Sequence, residues 1–465
     1  MLEVAFTALA IASSGGALWL YGLIRRERAR VWLAAAKSAG LADVTLLKPL
    51  LWGQSVVGRS GTLRIRIESH RRDREHQDTR VVVDDLDDGF GGVTLGREGT
   101  ATELAKLFGS REIEIGDPSF DEAFFIGGTP ALVYAFLDAE TRAVLLRMNE
   151  EGVLELASSE LRLDIPENEE GRLLSRVPVL LLGVAQRLRH RSETAERLAH
   201  NVRNDPRPVV RLRNLLCLIR EFGEHPVVAE TLRAACEDRN PEVRLRAAIA
   251  LGRDGFDSLL GMTEDLGMAD VWQAAAVSAL GRRFTIERAK EALERALRGH
   301  RFETARACIE VLGTGDEAAV EPLMKALAVG TGVVAAAAAS ALGALRAPSA
   351  EAPLIRALWR EAAGLRVAAA EALGRSGSTA AVLSLKQAAE RYPEAAFRRA
   401  ARQAIAEIQA RLPGASPGQL SLSATEAGQL SLADAEAGQL SLADGQAGQL
   451  SLAEARQRPE SGDEG

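Results

Sequence analysis

The sequence predicts a mainly α fold: an α-solenoid preceded by a small α+β domain and an N-terminal transmembrane helix. Three observations carry this. A Leu-Gly pair recurs at Leu251-Gly252, Leu280-Gly281, Leu312-Gly313, Leu342-Gly343 and Leu373-Gly374, at intervals of 29, 32, 30 and 31 residues. A repeat of that length marks stacked helical hairpins. Upstream, Thr62 to Glu68 alternates apolar and polar residues with the period of a strand. At the start, Val4 to Ile24 is an uncharged run long enough, at 1.5 Å per residue, to cross a hydrocarbon core of about 30 Å.

Composition narrows the function classes. The 465 residues carry 57 Lys+Arg against 64 Asp+Glu, a net charge of −7, and only 4% aromatic residues. An acidic balance gives no electrostatic case for binding a nucleic-acid backbone. Three cysteines, Cys217, Cys236 and Cys308, show neither a disulfide framework nor C-x-x-C spacing, and read as small core residues.

In the N-terminal run, Trp19 and Tyr21 stand near the end, where interfacial aromatics belong, and Arg25-Arg26-Glu27-Arg28-Ala29-Arg30 follows at once. The positive-inside rule then places residues 25 onward in the cytoplasm. A cleaved signal peptide would carry its basic residues before the apolar run. The expectation is a single-pass anchor over residues 1–24 in a bacterial inner membrane, with the bulk of the chain cytoplasmic.

Residues 25–203 read as the α+β domain. An amphipathic stretch from Val31 to Gly40 precedes strand patterns at 62–68, 80–83, 111–115, 153–156 and 161–163, separated by glycine turns. Ala131 to Met148 and Leu173 to Val202 read as helices. The acidic cluster Asp84 to Asp88 misses the alternate-oxygen spacing of a calcium loop and reads as a solvated turn. The most specific string is Gly116-Asp117-Pro118-Ser119-Phe120-Asp121-Glu122-Ala123-Phe124. It resembles a Gly-Asp-x-x-Phe-Asp-x-x-Phe pattern of bacterial membrane-anchored domains of unknown function. Here Asp117 and Pro118 predict a helix cap and first turn, and Phe120 with Phe124 predict one buried helical face.

Residues 204–412 hold the repeat array. Asp205-Pro206-Arg207-Pro208-Val209-Val210-Arg211 matches Asn240-Pro241-Glu242-Val243-Arg244, and Ala401-Arg402-Gln403-Ala404-Ile405 stands in for the last Ala-rich tract, giving about seven repeats. Asp205 and Asn240 are suited to cap helices, and a proline at the first helical position loses no bond there. Glycine after each leucine can take the left-handed conformation that closes a helix, and small alanines let helices approach closely. The string from Asn240 to Gly252 resembles the consensus of bacterial HEAT-like repeats, including the type first recognised in phycobilisome lyases. That resemblance implies an inner helix opened by Val-Arg, with the arginine in a ladder between repeats; the role falls on Arg211, Arg244 and Arg366, with the centre of the ladder missing.

Some HEAT-repeat proteins are enzymes with recognisable motifs. Deoxyhypusine hydroxylase needs His-Glu pairs for iron, and none of the six histidines precedes a glutamate. A HEAT-like DNA glycosylase would need a basic groove with aromatics, but residues 204–412 are nearly charge-balanced, and Trp272 and Trp359 read as core residues. Gly414-Ala415-Ser416-Pro417-Gly418 matches a nucleophile elbow in letters only, lacking a strand before it and a helix after it. No catalytic constellation, cofactor or metal site, or small-molecule substrate is indicated.

From Pro413 the chain turns low in complexity. Gly-Gln-Leu-Ser-Leu occurs four times at a period of ten, with Gln419, Gln429, Gln439 and Gln449 opening each Gln-Leu-Ser-Leu, and the segment holds 8 Asp+Glu against 2 Arg. Too little apolar surface is present to offset ordering entropy, which predicts disorder over 413–465. Gln-Leu-Ser-Leu resembles the start of the bacterial sliding-clamp-binding pentapeptide, but the closing aromatic is replaced by Ser423, Ala433, Ala443 and Ala453. The sequence therefore points to a membrane-anchored, non-enzymatic scaffold that binds a protein partner through its solenoid. The alternatives are a bilin-lyase-type accessory enzyme and a DNA- or clamp-associated factor recruited through the tail.

Overall fold

The computed structural model describes residues 23, 25–47, 54–71, 77–84, 86, 93–97, 112–157, 160–188, 193–412, 420–422 and 430–432. The anchor expected over Val4–Ile24 lies outside these residues apart from Leu23, as do Asp85, Asp87 and Asp88 of the acidic cluster, the 414–418 string and all four tail glutamines. Among the described residues no helix is long and apolar enough to cross a membrane. Contacts divide the chain into two compact units, Met1–Gly252 and Arg253–Gly465.

In the first unit, residues 25–38 form helix α1. Its Trp32 is fully buried and donates its indole N–H to Glu170, which also receives Arg28 Nε at 2.8 Å. The alternating segments build an eight-stranded antiparallel sheet in the order β1-β2-β3-β4-β8-β7-β5-β6. Its strands are β1 (Ala42–Leu47), β2 (Ser55–Ser60), β3 (Leu63–Arg71), β4 (Gln77–Asp84), β5 (Val93–Arg97), β6 (Phe124–Gly128), β7 (Val153–Ala157) and β8 (Glu160–Ile165). Leu63, Ile65 and Ile67 point into the core, as period two requires. The other face carries cross-strand ion pairs: Arg80 opposes Asp164 and bonds it at 2.6 and 2.7 Å, and Arg64 opposes Asp84. Gly61, at φ +63°, supplies the turn between β2 and β3.

The 111–115 strand expected from alternation does not form over its described residues, 112–115. Ile113 makes a single bond to Ile126 O, and the Asp121 carboxylate then takes the N–H groups of Ile115 and Gly116, curling the chain away from the sheet. The expected Phe120–Phe124 helical face is also corrected. Phe120 lies on the one-turn helix α2 (Pro118–Asp121), whereas Phe124 opens β6. Both rings are buried, with centroids 4.8 Å apart, so the pair packs as expected but across a helix-to-strand bend.

The helix expected over 131–148 is split into α3 (Pro130–Phe136) and α4 (Ala139–Glu151), because Asp138 caps a new start by accepting from Thr141 N at 2.7 Å. Residues 173–202 likewise divide among the end of α5 (Glu170–Leu173), α6 (Val177–Arg187) and the start of α7 (Thr194–Asn204). Helix α4 packs on β7, and α6 packs on β3, β4 and β8.

Helix α7 opens the first of seven helical hairpins among the described residues. It pairs with α8 (Pro208–Phe222), and α9 (Pro226–Ala235) pairs with α10 (Pro241–Leu251). In the second unit the pairs are α11 (Phe256–Glu264) with α12 (Asp270–Leu280), and α13 (Ile286–Arg298) with α14 (Phe302–Leu312). There follow α15 (Val320–Val329) with α16 (Gly332–Ala344), α17 (Glu351–Ala357) with α18 (Ala363–Ser376), and α19 (Ala380–Arg391) with α20 (Ala395–Ala410). In the second unit the later helix of each pair packs on the later helix of the next, giving an inner row of α12, α14, α16, α18 and α20.

The five Leu-Gly glycines do not share one role. Gly252 and Gly281 close their helices at φ +63° and +51°, as expected. Gly313 ends its helix in the right-handed region, and Gly343 and Gly374 lie inside α16 and α18. A Cβ on Gly343 would stand 2.6 Å from Ala372 Cα, and one on Gly374 would stand 3.0 Å from Ala404 Cα. These two glycines are there because the neighbouring inner helix occupies the space.

A buried charge cluster joins the sheet to the first hairpin. Arg142 on α4, 2% exposed, donates from Nε to Asp117 at 3.0 Å and from both terminal nitrogens to Asp205 at 3.0 and 3.3 Å. Asp117, expected as a side-chain cap, makes no capping bond to α2 and serves Arg142 instead. Gly116, at φ +94°, lies so close to α8 that a Cβ would meet Val209 Cγ1 at 2.5 Å. The Gly-Asp-x-x-Phe-Asp string is thus a docking element, its Gly116, Asp117, Phe120 and Asp121 being used for packing or pairing.

In the last segment, Leu420–Leu422 (β9) and Leu430–Leu432 (β10) pair as a two-stranded antiparallel ribbon, with Leu430 opposite Leu422 and Leu432 opposite Leu420. These six residues depart from the expected disorder, because Leu-Ser-Leu has the alternation of a strand.

Three stability outcomes follow. Gly343→Ala should lower stability by about 1–3 kcal/mol, as the overpacked helix pair must shift. Gly261→Ala, on an exposed helical turn with nothing within 4 Å of a new Cβ, should raise it by about 0.5–1 kcal/mol. Urea midpoints of the two variants check the opposite signs. Arg142→Ala leaves the buried Asp205 without its cation and Asp117 with only Arg207 at 3.6 Å, and should cost about 3–5 kcal/mol, read by thermal unfolding.

Candidate functional site

The residues expected to form a ladder do so at two of three positions, and all three share one local bond pattern. Arg211 Nη1 donates to Asp205 O and Pro206 O, Arg244 Nη1 to Asp238 O, and Arg366 Nη1 to Arg360 O and Glu361 O. In each case the inner-helix arginine closes the turn before its own helix. Arg211 then reaches the next hairpin, holding Asp238 through two bonds of 2.7 Å, and Arg366 reaches Glu394. Arg366 is buried and stacks on Tyr392, its guanidinium carbon 4.0 Å from the ring centroid. Its fork-shaped group can bond carbonyls, a carboxylate and a ring face together, which a lysine could not.

Asn240 caps α10 as expected, accepting from Glu242 N and Val243 N at 3.0 and 3.2 Å. Asp205 does not cap α8. It stands two residues before the capping position, held by Arg207, and accepts from Arg207 N at 2.9 Å while pairing with Arg142. Its counterpart one repeat later is Asp238, which accepts from Asn240 N in the same way.

The centre of the array is joined by groups the sequence reading did not single out. Asp270 accepts from the N–H groups of Glu303 and Thr304, both at 2.9 Å, and from Thr304 Oγ1 at 2.6 Å. Arg301 donates to Met268 O, Leu266 O and Gln273 Oε1, and Arg360 to Leu327 O and Gly330 O. Tyr392 then donates to Trp359 O. Their partners are mostly main-chain oxygens, which leave no residue type to recognise in a sequence.

Two concavities accompany these turns. In the first unit a cleft of about 850 Å³ lies between the turns of the first two hairpins, lined by Asp205, Arg211, Glu237, Asp238, Arg239 and Pro241 among others. Its central charges already pair with one another through Arg211 and Asp238. In the second unit a smaller cavity of about 360 Å³ is lined by Leu297, His300, Phe302, Lys325, Val329 and Thr331. It belongs to an apolar stripe that follows the turns tied by Arg301 and Arg360.

Along that edge Leu266, Val329 and Val333 are 71%, 64% and 68% exposed, and Val271, Phe302 and Trp359 are exposed beside them. Trp359 is therefore not the core residue expected of it. Exposed large apolar residues are ordinary when scattered and informative when they recur at the same place on neighbouring repeats. The thiols offer little reactivity. Burial pushes Cys217 up to about 11 and Cys308 up to about 12, far from the thiolate a nucleophile needs. Among the described residues, no three His, Cys, Asp or Glu side chains group as metal ligands.

No curated protein matches the chain. Among solved structures, human deoxyhypusine hydroxylase in complex with glycerol is similar over 47% of this chain and 97% of its own, at 18% identity and a TM-score of 0.21. The family model for HEAT repeats matches residues 320–406. That segment runs from α15 into α20, and with the helical hairpins that precede it, it supports a HEAT-like repeat protein.

Proposed function

We propose that the chain is a membrane-anchored, non-enzymatic scaffold that binds a protein partner along the turn edge of its second unit. HEAT repeats in general suggest protein interaction. The observation that carries the reading here is the exposed apolar stripe from Leu266 to Trp359, borne on turns fixed by Arg301 and Arg360. A rigid row of apolar side chains offers contact area at little ordering cost. The raised thiol pKa values and the self-paired charges of the larger cleft weigh against catalysis. The anchor at Val4–Ile24 would hold this surface at the inner membrane, and Arg28 and Trp32 would seat the emerging helix on the sheet domain through Glu170.

Photo-crosslinking tests the surface. A benzoylphenylalanine at position 333 of the full chain, in its native cells, should give discrete adducts with other proteins, and Val329→Glu should remove them. Equal labelling from Ser349, at the exposed turn on the opposite edge, or no protein adduct at all, overturns the reading. The thiols give a second check. Iodoacetamide at pH 8 should leave Cys217 and Cys308 of the folded chain essentially unlabelled, since their protonated forms prevail at every pH below their raised values. Rapid labelling of either cysteine in the folded chain would reopen a nucleophilic role.

A further inference from the structure

We propose that the apolar turn edge is covered, in the resting protein, by the chain's own C-terminal Leu-Ser-Leu repeats. This rests on the preceding reading of the edge as a docking surface and adds its regulation. Three features of the molecule meet here: an apolar edge in need of cover, a tethered segment of matching pattern, and enough chain to connect them.

The edge sets apolar side chains beside two arginines, with the exposed Glu303 and Glu361 next to them. Between Phe302 and Trp359 lie Val329 and Val333, flanked by Arg301 and Arg360. Both guanidinium groups spend their bonds on neutral oxygens and form no ion pair among the described residues. The tail has the complementary pattern. Leu440-Ser441-Leu442 and Leu450-Ser451-Leu452 are separated by a spacer carrying Asp444 and followed by Glu454, and residues 413–465 are net acidic.

The tether is long enough. Helix α20 runs 16 residues, about 24 Å, from the turn edge to where the tail begins. The first two copies pair with each other as β9 and β10, and the third and fourth lie outside the described residues. From Leu432 to Leu440 the chain can span about 26–29 Å, enough to return along α20. A period of ten residues then reaches at most about 36 Å, and adjacent helices stand about 8–10 Å apart, so the third and fourth copies can lie on neighbouring hairpins. Docking of a tethered segment is intramolecular, so weak apolar contacts suffice and are reversible when a better partner arrives.

The test uses full-length protein throughout. Benzoylphenylalanine at position 333 of the purified chain should crosslink to peptides spanning 439–455 of the same chain, distinguished from a second copy by mixing isotopically heavy and light protein; position 349 should not. Replacing Leu440, Leu442, Leu450 and Leu452 by serine, which alters no described residue, should abolish that link and speed amide exchange over 329–334 by about tenfold. An absent link, a link only between chains, or exchange unchanged by the serine variant overturns the proposal. Adducts of position 333 with other proteins, measured in the serine variant, report on the scaffold reading alone, so the two can fail separately.

Discussion

Close approach of the inner helices is the constraint on which most of this molecule depends. A helical hairpin has one apolar face and cannot bury it alone, so each must press against the next. The faces pressed together are alanine: Ala335, Ala338 and Ala339 of one inner helix and Ala368, Ala369 and Ala372 of the next are buried. With side chains this short, main chains come near enough that Gly343 and Gly374 cannot carry even a Cβ without displacing a neighbour. The low aromatic content follows, since an inner row spaced by methyl groups has little room for rings.

Helices drawn together at their middles leave their turns as the places where polar groups must be settled. Turn carbonyls and helix-start N–H groups lack partners of their own. Here arginine and aspartate supply them: Arg211 and Arg366 close their own turn and hold a carboxylate of the next, Arg301 and Arg360 reach back to carbonyls of the previous one, and Asp270 caps its neighbour's helix. The result is a row of turns fixed in place, on which apolar residues can be exposed without collapsing inward. A surface of that kind is consistent with binding by shape and area.

Much of this was legible in the sequence, and what was hidden was hidden for identifiable reasons. The inner helices are readable because the Leu-Gly period and the alanine tracts repeat locally, β3, β7 and β8 because they alternate, and β4 because of its run of valines. Strands β1, β2, β5 and β6 escaped notice; β5, for example, is buried at four successive positions and has no alternation to show. Arg142 gave no signal, since its partners lie 25 and 63 residues away and only the fold brings them together. Asp117 and Asp205 read as caps in the sequence because an aspartate before a proline looks the same whether it serves a helix end or a distant arginine. The turn arginines were missed because main-chain oxygens leave no trace in residue identity.

The changing role of glycine along the array also bears on how such a chain can be altered by recombination. Where Gly252 and Gly281 end a helix, the hairpin carries its terminating signal within itself and can tolerate a different neighbour. Where Gly343 and Gly374 sit mid-helix, each glycine is matched to a particular alanine one hairpin ahead, Ala372 and Ala404. Duplicating or deleting a hairpin between Gly332 and Ala410 therefore preserves the fold only if the glycine and its facing alanine move together. The natural cassette of exchange at that end is the junction between two hairpins, whereas at the other end it is the hairpin.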